Sequence, residues 1–298
     1  MLRDVFILAL RELRRNVMRS VLTTLGIVIG VGAVIVMVTV GGGATIQVEA
    51  DIAAMGSDRL TIVPGQRVGP GRMSGSAEPF TVADADALRD ELGSLSAVAP
   101  TSQRSMSAIV GNRNWQTTIV GATSDYLVVN DLQIESGRAF TEGEARSGRS
   151  VCIIGATVRA SLFGSQDPIG TAVRLERMSC EVVGLLTSKG GQTSLGMDPD
   201  DLVLIPLSSF HRRIAGNEYV VQIHASVAEH SSNDKAQDDI VLLLRERRRI
   251  GAVEDDDFSV MDMADISRTL TQTTTLLTML LGAVAGVSLL VGGIGIMN

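Results

Sequence analysis

Two stretches without a charged residue, Val21–Val40 and Thr273–Asn298, most constrain what this chain of 298 residues can fold into. An α-helix rises about 1.5 Å per residue, so 20 residues cover about 30 Å, the thickness of a bilayer's hydrocarbon core. The pattern predicts transmembrane helices at residues 21–40 and 276–298. The first is expected to be a retained anchor, because its apolar run exceeds the roughly 7–15 residues of a signal peptide and no small-x-small cleavage site follows.

The charges around the first stretch predict its orientation. Residues 1–20 carry five arginines against two acidic residues, a net charge of +3, whereas the whole chain carries −7. Because the apolar stretches are uncharged, residues 41–272 carry −10. Positive charge before the first span places the N-terminus in the cytoplasm and residues 41–272 outside, in the bacterial inner (plasma) membrane. The acidic outer region argues against a nucleic-acid partner, which requires a basic surface.

Helical periodicity extends beyond both apolar stretches. Residues 1–20 alternate apolar residues and arginines at helical spacing, which predicts a cytoplasmic amphipathic helix on the inner leaflet or docked against protein. Outside the membrane, we expect stalk helices at 41–56 and 262–275. Their apolar stripes are formed by Val48, Ile52, Met55, Ile266 and Leu270.

Each predicted span carries two glycines four residues apart. They are Gly26 and Gly30 in the first span, and Gly282 and Gly286 in the second. Small residues at this spacing allow two helix backbones to approach closely in a membrane. We therefore predict that these glycines lie at helix–helix contacts.

The region between the stalks has the pattern of an α+β domain. Short apolar runs predict strands at 60–63, 108–110, 116–120, 218–227 and 258–261, with helices at about 81–92 and 234–249. Thr81 and Asp84 resemble a capping box at the start of the first of these helices. This order favours a split βαβ layer at 57–129 and 210–261, with a turn-rich β module inserted at 130–209.

The sequence also bears on catalysis and on ligand binding. No GxxxxGK[ST] sequence is present, so we predict no phosphate-binding P-loop, and no catalytic, cofactor-binding or metal-binding residues. His211, His224 and His230 have no metal or triad spacing and are expected at the surface. The acidic groups at 198–201 and 254–257 lack EF-hand spacing and are expected to be solvated loops.

Only two cysteines, Cys152 and Cys180, occur in the chain, both in the outer region. An oxidising compartment would permit a disulfide between them. Both lie in short β-like runs, where cysteine commonly behaves as a small buried hydrophobe. We therefore expect reduced or independent cysteines, with a disulfide as the alternative.

Long segments of the chain resemble MacB-like permeases of the FtsX-like class of ABC transporters. The segments are NVMRSVLTTLGIVIGVGAVIVMVTVGGGA, MGSDRLTIVPG, FTVADADALRDELGSLSAVAP, TIVGATSDYLVVNDLQIESGRAFTEGEARSGRSVCIIGATVRASLFGSQDPIGTAVRL, EVVGLLTSKGGQTSLGMDPDDLVLIPLSSFHRRI and LLVGGIGIMN. Gly42 departs from the family, which tends to have a polar or acidic residue at this position. We therefore expect the helix to be more flexible where the span meets the stalk.

The resemblance implies a fold, partners and a mechanism. The split layer and the insert would be the family's porter and sabre subdomains, and a full permease would have four spans, so we expect the chain to stop short after the second. The expected partners are a cytoplasmic ATPase that holds ATP and Mg, a second permease copy, and a periplasmic adaptor with an outer-membrane channel. The permease itself would bind no cofactor.

Three functions are compatible with these features. The first is a permease subunit whose outer domain moves when a partner ATPase hydrolyses ATP, and so drives efflux. The second, on the same fold, is a force transmitter that releases lipoproteins or regulates cell-wall hydrolases. The third is a two-span membrane sensor, because two spans flanking an outer domain are also a receptor's layout.

Overall fold

The computed structural model describes residues 17–55, 58–65, 77–176, 178–190 and 198–297. The predicted amphipathic helix at 1–20 therefore lies almost wholly outside the described residues. The chain divides into two compact units. One comprises Met1–Ala50 with Ser267–Asn298, and the other comprises Asp51–Ile266.

Helices and strands alternate through the second unit, and a long helix lies at each end of the described chain. The helices are α1 (Val17–Met55), α2 (Val82–Glu91), α3 (Asp125–Val129), α4 (Glu142–Ser147), α5 (Ala156–Leu162), α6 (Leu207–Phe210) followed by a π-helical turn (His211–Ala215), α7 (Asn233–Arg248) and α8 (Met263–Met297). The strands are β1 (Arg59–Pro64), β2 (Leu95–Val110), β3 (Arg113–Ala122), β4 (Ile134–Gly137), β5 (Val151–Ile154), β6 (Ala172–Leu175), β7 (Met178–Leu186), β8 (Leu202–Pro206), β9 (Gln222–Val227) and β10 (Phe258–Asp262).

One stretch of the described residues, Thr24–Gly43 in α1, is long and apolar enough to cross a membrane, with a mean hydropathy of 2.4. In α8 the apolar stretch found among described residues, Gln272–Val284, is shorter. The second span at 276–298 stays a prediction. So does the orientation of both helices.

The strands of the second unit form one mixed sheet, in the order β10-β1-β9-β2-β3-β8-β5-β7-β4, with β6 pairing to β2 and β7. The pairs β3–β8 and β5–β7 are parallel, and the others are antiparallel. Hydrogen bonding is continuous through the predicted insert at 130–209. The division into porter-like and sabre-like subdomains stays a prediction.

Strand alternation gives the sheet two apolar faces. At the β1–β9 end, Leu60, Ile62 and Ile223 are fully buried and pack with Leu88 of α2 and Ile240 of α7. At the β5–β7 end there are two separate buried clusters. One contains Ile154 and Ile205, and the other contains Ile153 and Leu204. Because the side chains of Ile153 and Ile154 belong to different clusters, β5 is buried on both faces.

The capping box predicted for α2 is confirmed. The backbone nitrogen and the Oγ1 of Thr81 both donate to Asp84 Oδ2 at 2.9 Å. These bonds satisfy groups that the first turn of a helix leaves without partners. They fix the start of α2 at Val82.

Strand β2 is far longer than the three residues predicted at 108–110. The observed strand also includes residues 95–107, and within 101–107 serine, threonine, glutamine and arginine obscure the apolar alternation. Cross-strand bonds hold these polar residues, as when Thr101 Oγ1 donates to the carbonyl oxygen of Gln222 at 3.0 Å. Conversely, β9 begins at Gln222 rather than at residue 218.

The expectation of independent cysteines is wrong, because Cys152 and Cys180 form a disulfide with their Cα atoms 5.7 Å apart. Cys152 lies on β5 and Cys180 on β7, which are paired neighbours in the sheet. Both side chains point into the same buried cluster. The two cysteines are separated by 28 positions in the sequence, and no local pattern indicated that their strands pair.

Two of the three histidines expected at the surface are buried. Only 7% of His211 and 8% of His224 is exposed, whereas His230 is exposed. His224 lies on β9 between β1 and β2, and its Nδ1 is 3.3 Å from Thr61 Oγ1. Burial, reinforced by the nearby charge of Arg59, lowers the pKa of His224 to about 3. His224 is therefore neutral at physiological pH.

The acidic groups are also more structured than expected. Asp200 is only 5% exposed and accepts hydrogen bonds from Ser188 Oγ at 2.5 Å and from the backbone nitrogen of Lys189 at 2.9 Å. Asp256 and Asp257 form ion pairs with arginines of α7. These carboxylates therefore fasten loops to the domain instead of projecting into solvent.

Candidate functional site

Helices α1 and α8 approach closely within the first unit. A Cβ atom built on Gly282 would lie 3.8 Å from Met37 Sδ, and one built on Gly41 would lie 3.0 Å from Thr278 Oγ1. The first distance is an ordinary van der Waals contact, and the second is tighter than nine in ten real Cβ contacts. The absence of a side chain at Gly41 thus permits this approach of the helices.

The four glycines singled out in the sequence have different surroundings. Gly30 is buried and Gly26 is partly buried, whereas Gly286 is exposed, and a Cβ there would meet no described atom within 4 Å. Gly282 lies at the approach of α1 to α8. A role for Gly26, Gly30 and Gly286 in contacts with other helices stays a prediction. Gly41, Met37 and Thr278 were missed, although the run of three glycines at 41–43 was a signal for close approach.

A leucine at Gly41 is expected to push α1 and α8 apart. Its Cβ would have to displace Thr278, whereas a Cβ on the neighbouring Gly42 would meet no described atom within 4 Å. Oxidative cross-linking of a Met37→Cys, Gly282→Cys pair in the membrane-embedded chain measures the approach. Gly41→Leu should reduce the cross-linking yield, and the matched control Gly42→Leu should not. Equal yields from both would contradict the close contact at Gly41.

The five stalk residues lie on the long helices. Val48, Ile52 and Met55 belong to α1, which is a single helix of 39 residues, and Ile266 and Leu270 belong to α8, which has 35. Helix α1 therefore continues without a break from its apolar stretch to Met55. Their role as stalk positions stays a prediction.

The strands that adjoin the long helices in sequence are paired with each other. Helix α1 ends at Met55 and β1 begins at Arg59, whereas β10 ends at Asp262, directly before α8. Their antiparallel register runs from Leu60–Asp262 to Pro64–Phe258. Strand β1 is also paired with β9 on its other side. The segment that follows α1 and the segment that precedes α8 are therefore adjacent, hydrogen-bonded strands of the sheet.

Helix α7 forms side-chain contacts at both ends of β10. Arg248 donates from Nε and Nη2 to both carboxylate oxygens of Asp257, at 2.7 and 2.6 Å, and its guanidinium carbon lies 5.1 Å from the centre of the Phe80 ring. At the other end of β10, Asn233 Nδ2 donates to Asp262 Oδ2 at 2.9 Å. Such bidentate and shared contacts hold a strand in place more firmly than exposed ion pairs. Strand β10 is thus anchored at both ends.

Among the described residues, no group of three or more histidine, cysteine, aspartate or glutamate side chains could hold a metal ion. The expectation that this chain binds no cofactor stays a prediction. The described arrangement is a sheet whose neighbouring strands β1 and β10 adjoin the two long helices in sequence.

Comparison with known proteins shows which family this chain is similar to. Residues 20–243 match the family described as MacB-like periplasmic core domain. Proteins named macrolide export ATP-binding/permease protein MacB are similar along almost the whole chain. Those of Rhodospirillum rubrum and Azoarcus sp. are 38% and 37% identical over 97% of this chain and 43% of their own length. That of Syntrophobacter fumaroxidans is 34% identical over 97% of this chain and 48% of its own.

The fold is also similar to solved structures. The periplasmic region of MacB from Actinobacillus actinomycetemcomitans gives a TM-score of 0.63 at 20% identity, covering 75% of this chain and 97% of that one. The extracellular domain of the noncanonic ABC-type transporter YknZ from Gram-positive bacteria gives 0.54 at 19% identity, covering 68% and 99%. At such identities the likeness establishes the fold alone. The chain spans less than half the length of the curated relatives described above.

Proposed function

Because the chain belongs to the MacB-like family of ABC transporter permeases, we propose that it is the permease portion of an efflux complex in the bacterial inner membrane. Its N-terminus would be cytoplasmic and residues 41–272 extracytoplasmic. The charge asymmetry of the sequence supports this orientation, with +3 before the first span and −10 between the spans. A second span at 276–298 would return the chain to the cytoplasm.

Energy would come from a cytoplasmic ATPase. The relatives are named ATP-binding/permease proteins, and this chain spans less than half of their length. ATP and Mg would bind to that ATPase, whether it is fused to this chain or separate. The Thr24–Gly43 stretch contains no ionisable residue. Such residues are what transporters driven by protons or ions use within the membrane.

The observation that carries the mechanism is the pairing of β1 with β10. Movement of α1 or α8 along its axis would act on two adjacent, hydrogen-bonded strands rather than on a loop. A continuous helix transmits displacement, whereas a flexible segment dissipates it. We propose that ATP-driven movement at the inner face is passed through the stalk helices to this strand pair, and that the outer domain moves in response.

The complex would contain two permease copies, with a periplasmic adaptor and an outer-membrane channel as further partners. The relatives' names state macrolide export. These names favour efflux over lipoprotein release, cell-wall hydrolase regulation or sensing. Macrolides are accordingly the first class of substrate to test.

We expect the complete gene product, expressed with its ATPase in a macrolide-hypersensitive bacterial strain, to lower the accumulation of a macrolide in the cells. An ATPase variant that binds but does not hydrolyse ATP provides the matched control and should abolish the effect. Accumulation that falls equally with the inactive ATPase would contradict ATP-driven efflux. Accumulation that never changes, for macrolides or any other exported compound tested, would contradict the proposed function.

A further inference from the structure

A buried polar layer lies on the face of the β1–β9 sheet opposite α7. Arg59 and Thr61 alternate on β1 with the core residues Leu60 and Ile62, so they point to this opposite face. His224 of β9 lies beside Thr61, and the ring of Tyr126 in α3 contacts the His224 ring edge to face, with centroids 5.8 Å apart. Helix α3 therefore covers a layer of polar side chains.

Arg59 is the charged group at the centre of this layer. Its Nη1 donates to Asn130 Oδ1 at 2.5 Å, while its Nε is buried without any hydrogen-bond partner. Within the described part of the chain, no carboxylate forms an ion pair with Arg59. Burial lowers the pKa of Arg59, and the electrostatic interaction with Tyr126 acts in the opposite direction. A buried guanidinium without a counter-charge is costly, so this is an unusual arrangement.

A second cation approaches the same asparagine. Lys189 Nζ donates to the backbone oxygen of Asn130 at 2.8 Å. Burial lowers the pKa of Lys189, and the charge of Arg59 lowers it further, while Asp131 and Asp200 act in the opposite direction. Both cations thus donate to Asn130, Arg59 to its side-chain oxygen and Lys189 to its backbone oxygen.

The other titratable groups facing Arg59 are uncharged. His224 is neutral at physiological pH, as described above, and burial raises the pKa of Tyr126 above its ordinary value. Arg59 is partly exposed as a residue, whereas its Nε is buried. The edge formed by Nε and Nη2 makes no hydrogen bond to a described residue. This is the edge that binds two oxygens of a carboxylate or phosphate side by side.

We propose that Arg59, supported by Lys189 and Asn130, forms a binding site for an oxyanion, a phosphate or carboxylate group held by the Nε–Nη2 edge of the guanidinium. The site lies at the start of β1, the strand that follows α1 in the chain. An anion bound there would supply the counter-charge of Arg59 and stabilise the junction of β1, β9 and α3. The site requires no assumption about the ATPase or the substrate.

Thermal unfolding of the full chain in lipid nanodiscs tests the site. Inorganic phosphate and acetate are each compared with chloride at equal ionic strength. At an anion concentration about ten times the dissociation constant, mass action predicts a rise in Tm of about 3–6 °C. A rise with either anion supports the site and identifies the preferred group, whereas no rise with both overturns the proposal.

Arg59→Gln should abolish the anion-dependent rise. The matched control is Arg104→Gln, because Arg104 is exposed and its Nη1 donates to the carbonyl oxygen of Ile214, far from this layer in sequence. A rise that persists in Arg59→Gln would overturn the proposal. If that variant does not fold, Lys189→Gln is used, with anion binding followed by calorimetry. Lys189→Gln should then weaken binding, and unchanged affinity would count against the site.

Discussion

Two glycines in place of Val48 and Glu49 in α1 are expected to leave ATP hydrolysis intact and to reduce efflux sharply. Both residues lie within the helix that continues from the apolar stretch to Met55. Each glycine costs about 1 kcal/mol of helix stability relative to alanine. Relative to alanine at both positions, the two glycines together make local opening of the helix about 30-fold more frequent. The measurement is ATP turnover and macrolide efflux in the same complex.

The matched control replaces the same two residues with alanine. It removes the same side chains but keeps the strongest helix former at both positions. Efflux should therefore survive in the alanine variant. If the glycine variant exports as well as the alanine variant, although a spin label at Ile52 shows a frayed helix, the stalk does not transmit the movement.

Removal of the disulfide is expected to have the second large effect. Cys152 and Cys180 are 28 residues apart, and a crosslink of this separation stabilises a fold by about 3.5 kcal/mol through the entropy of the unfolded chain. Replacing both with alanine should lower the free energy of unfolding by about that amount. Denaturant titration followed by circular dichroism measures the change.

The wild-type protein under reducing conditions is the matched comparison. Its unfolding free energy should fall toward that of the alanine variant, which itself should not respond to reductant. Alkylation gives an independent check, because neither thiol should be labelled until both reductant and denaturant are present. Labelling of the denatured protein without reductant would contradict the disulfide.

Local features of the fold could be predicted from the sequence. Thr81 and Asp84 form a capping box through bonds that span three residues, so four residues of sequence are enough to indicate it. The strand at 60–63 and the helix at 234–249 follow from their own periodicity and were each found to within about one residue of the observed bounds. These elements are determined by contacts near in sequence.

Features that depend on distant pairing could not be predicted. The polar half of β2 is a strand because β3 and β9 flank it, and His224 is buried because β1 and β2 lie on either side of it. The disulfide likewise requires β5 to lie beside β7. No local pattern contains this information.

In the candidate site, too, some features could be predicted from the local sequence and others depended on contacts between distant residues. The glycine spacing in the two apolar stretches indicated close packing of helices, but which glycine contacts which side chain depends on how α1 and α8 are rotated about their axes. Gly41 and Thr278 were therefore missed. The pairing of Leu60 with Asp262 joins opposite ends of the outer domain's sequence, and only the sheet topology reveals it.

The most direct test of the central claim, that the stalk helices move the outer domain, is a distance measurement between two permease copies in the complex. Leu242 is 68% exposed on α7, and the chain's two cysteines are joined to each other, so Leu242→Cys provides a single spin-label site. Pulsed electron paramagnetic resonance would compare the label-to-label distance with and without ATP bound to the ATPase. We expect ATP to shift this distance in the otherwise wild-type chain and not to shift it in the Val48→Gly, Glu49→Gly variant. An equal shift in the wild-type chain and in the variant, or efflux without any shift in the distance, would contradict the claim that the stalk helices move the outer domain.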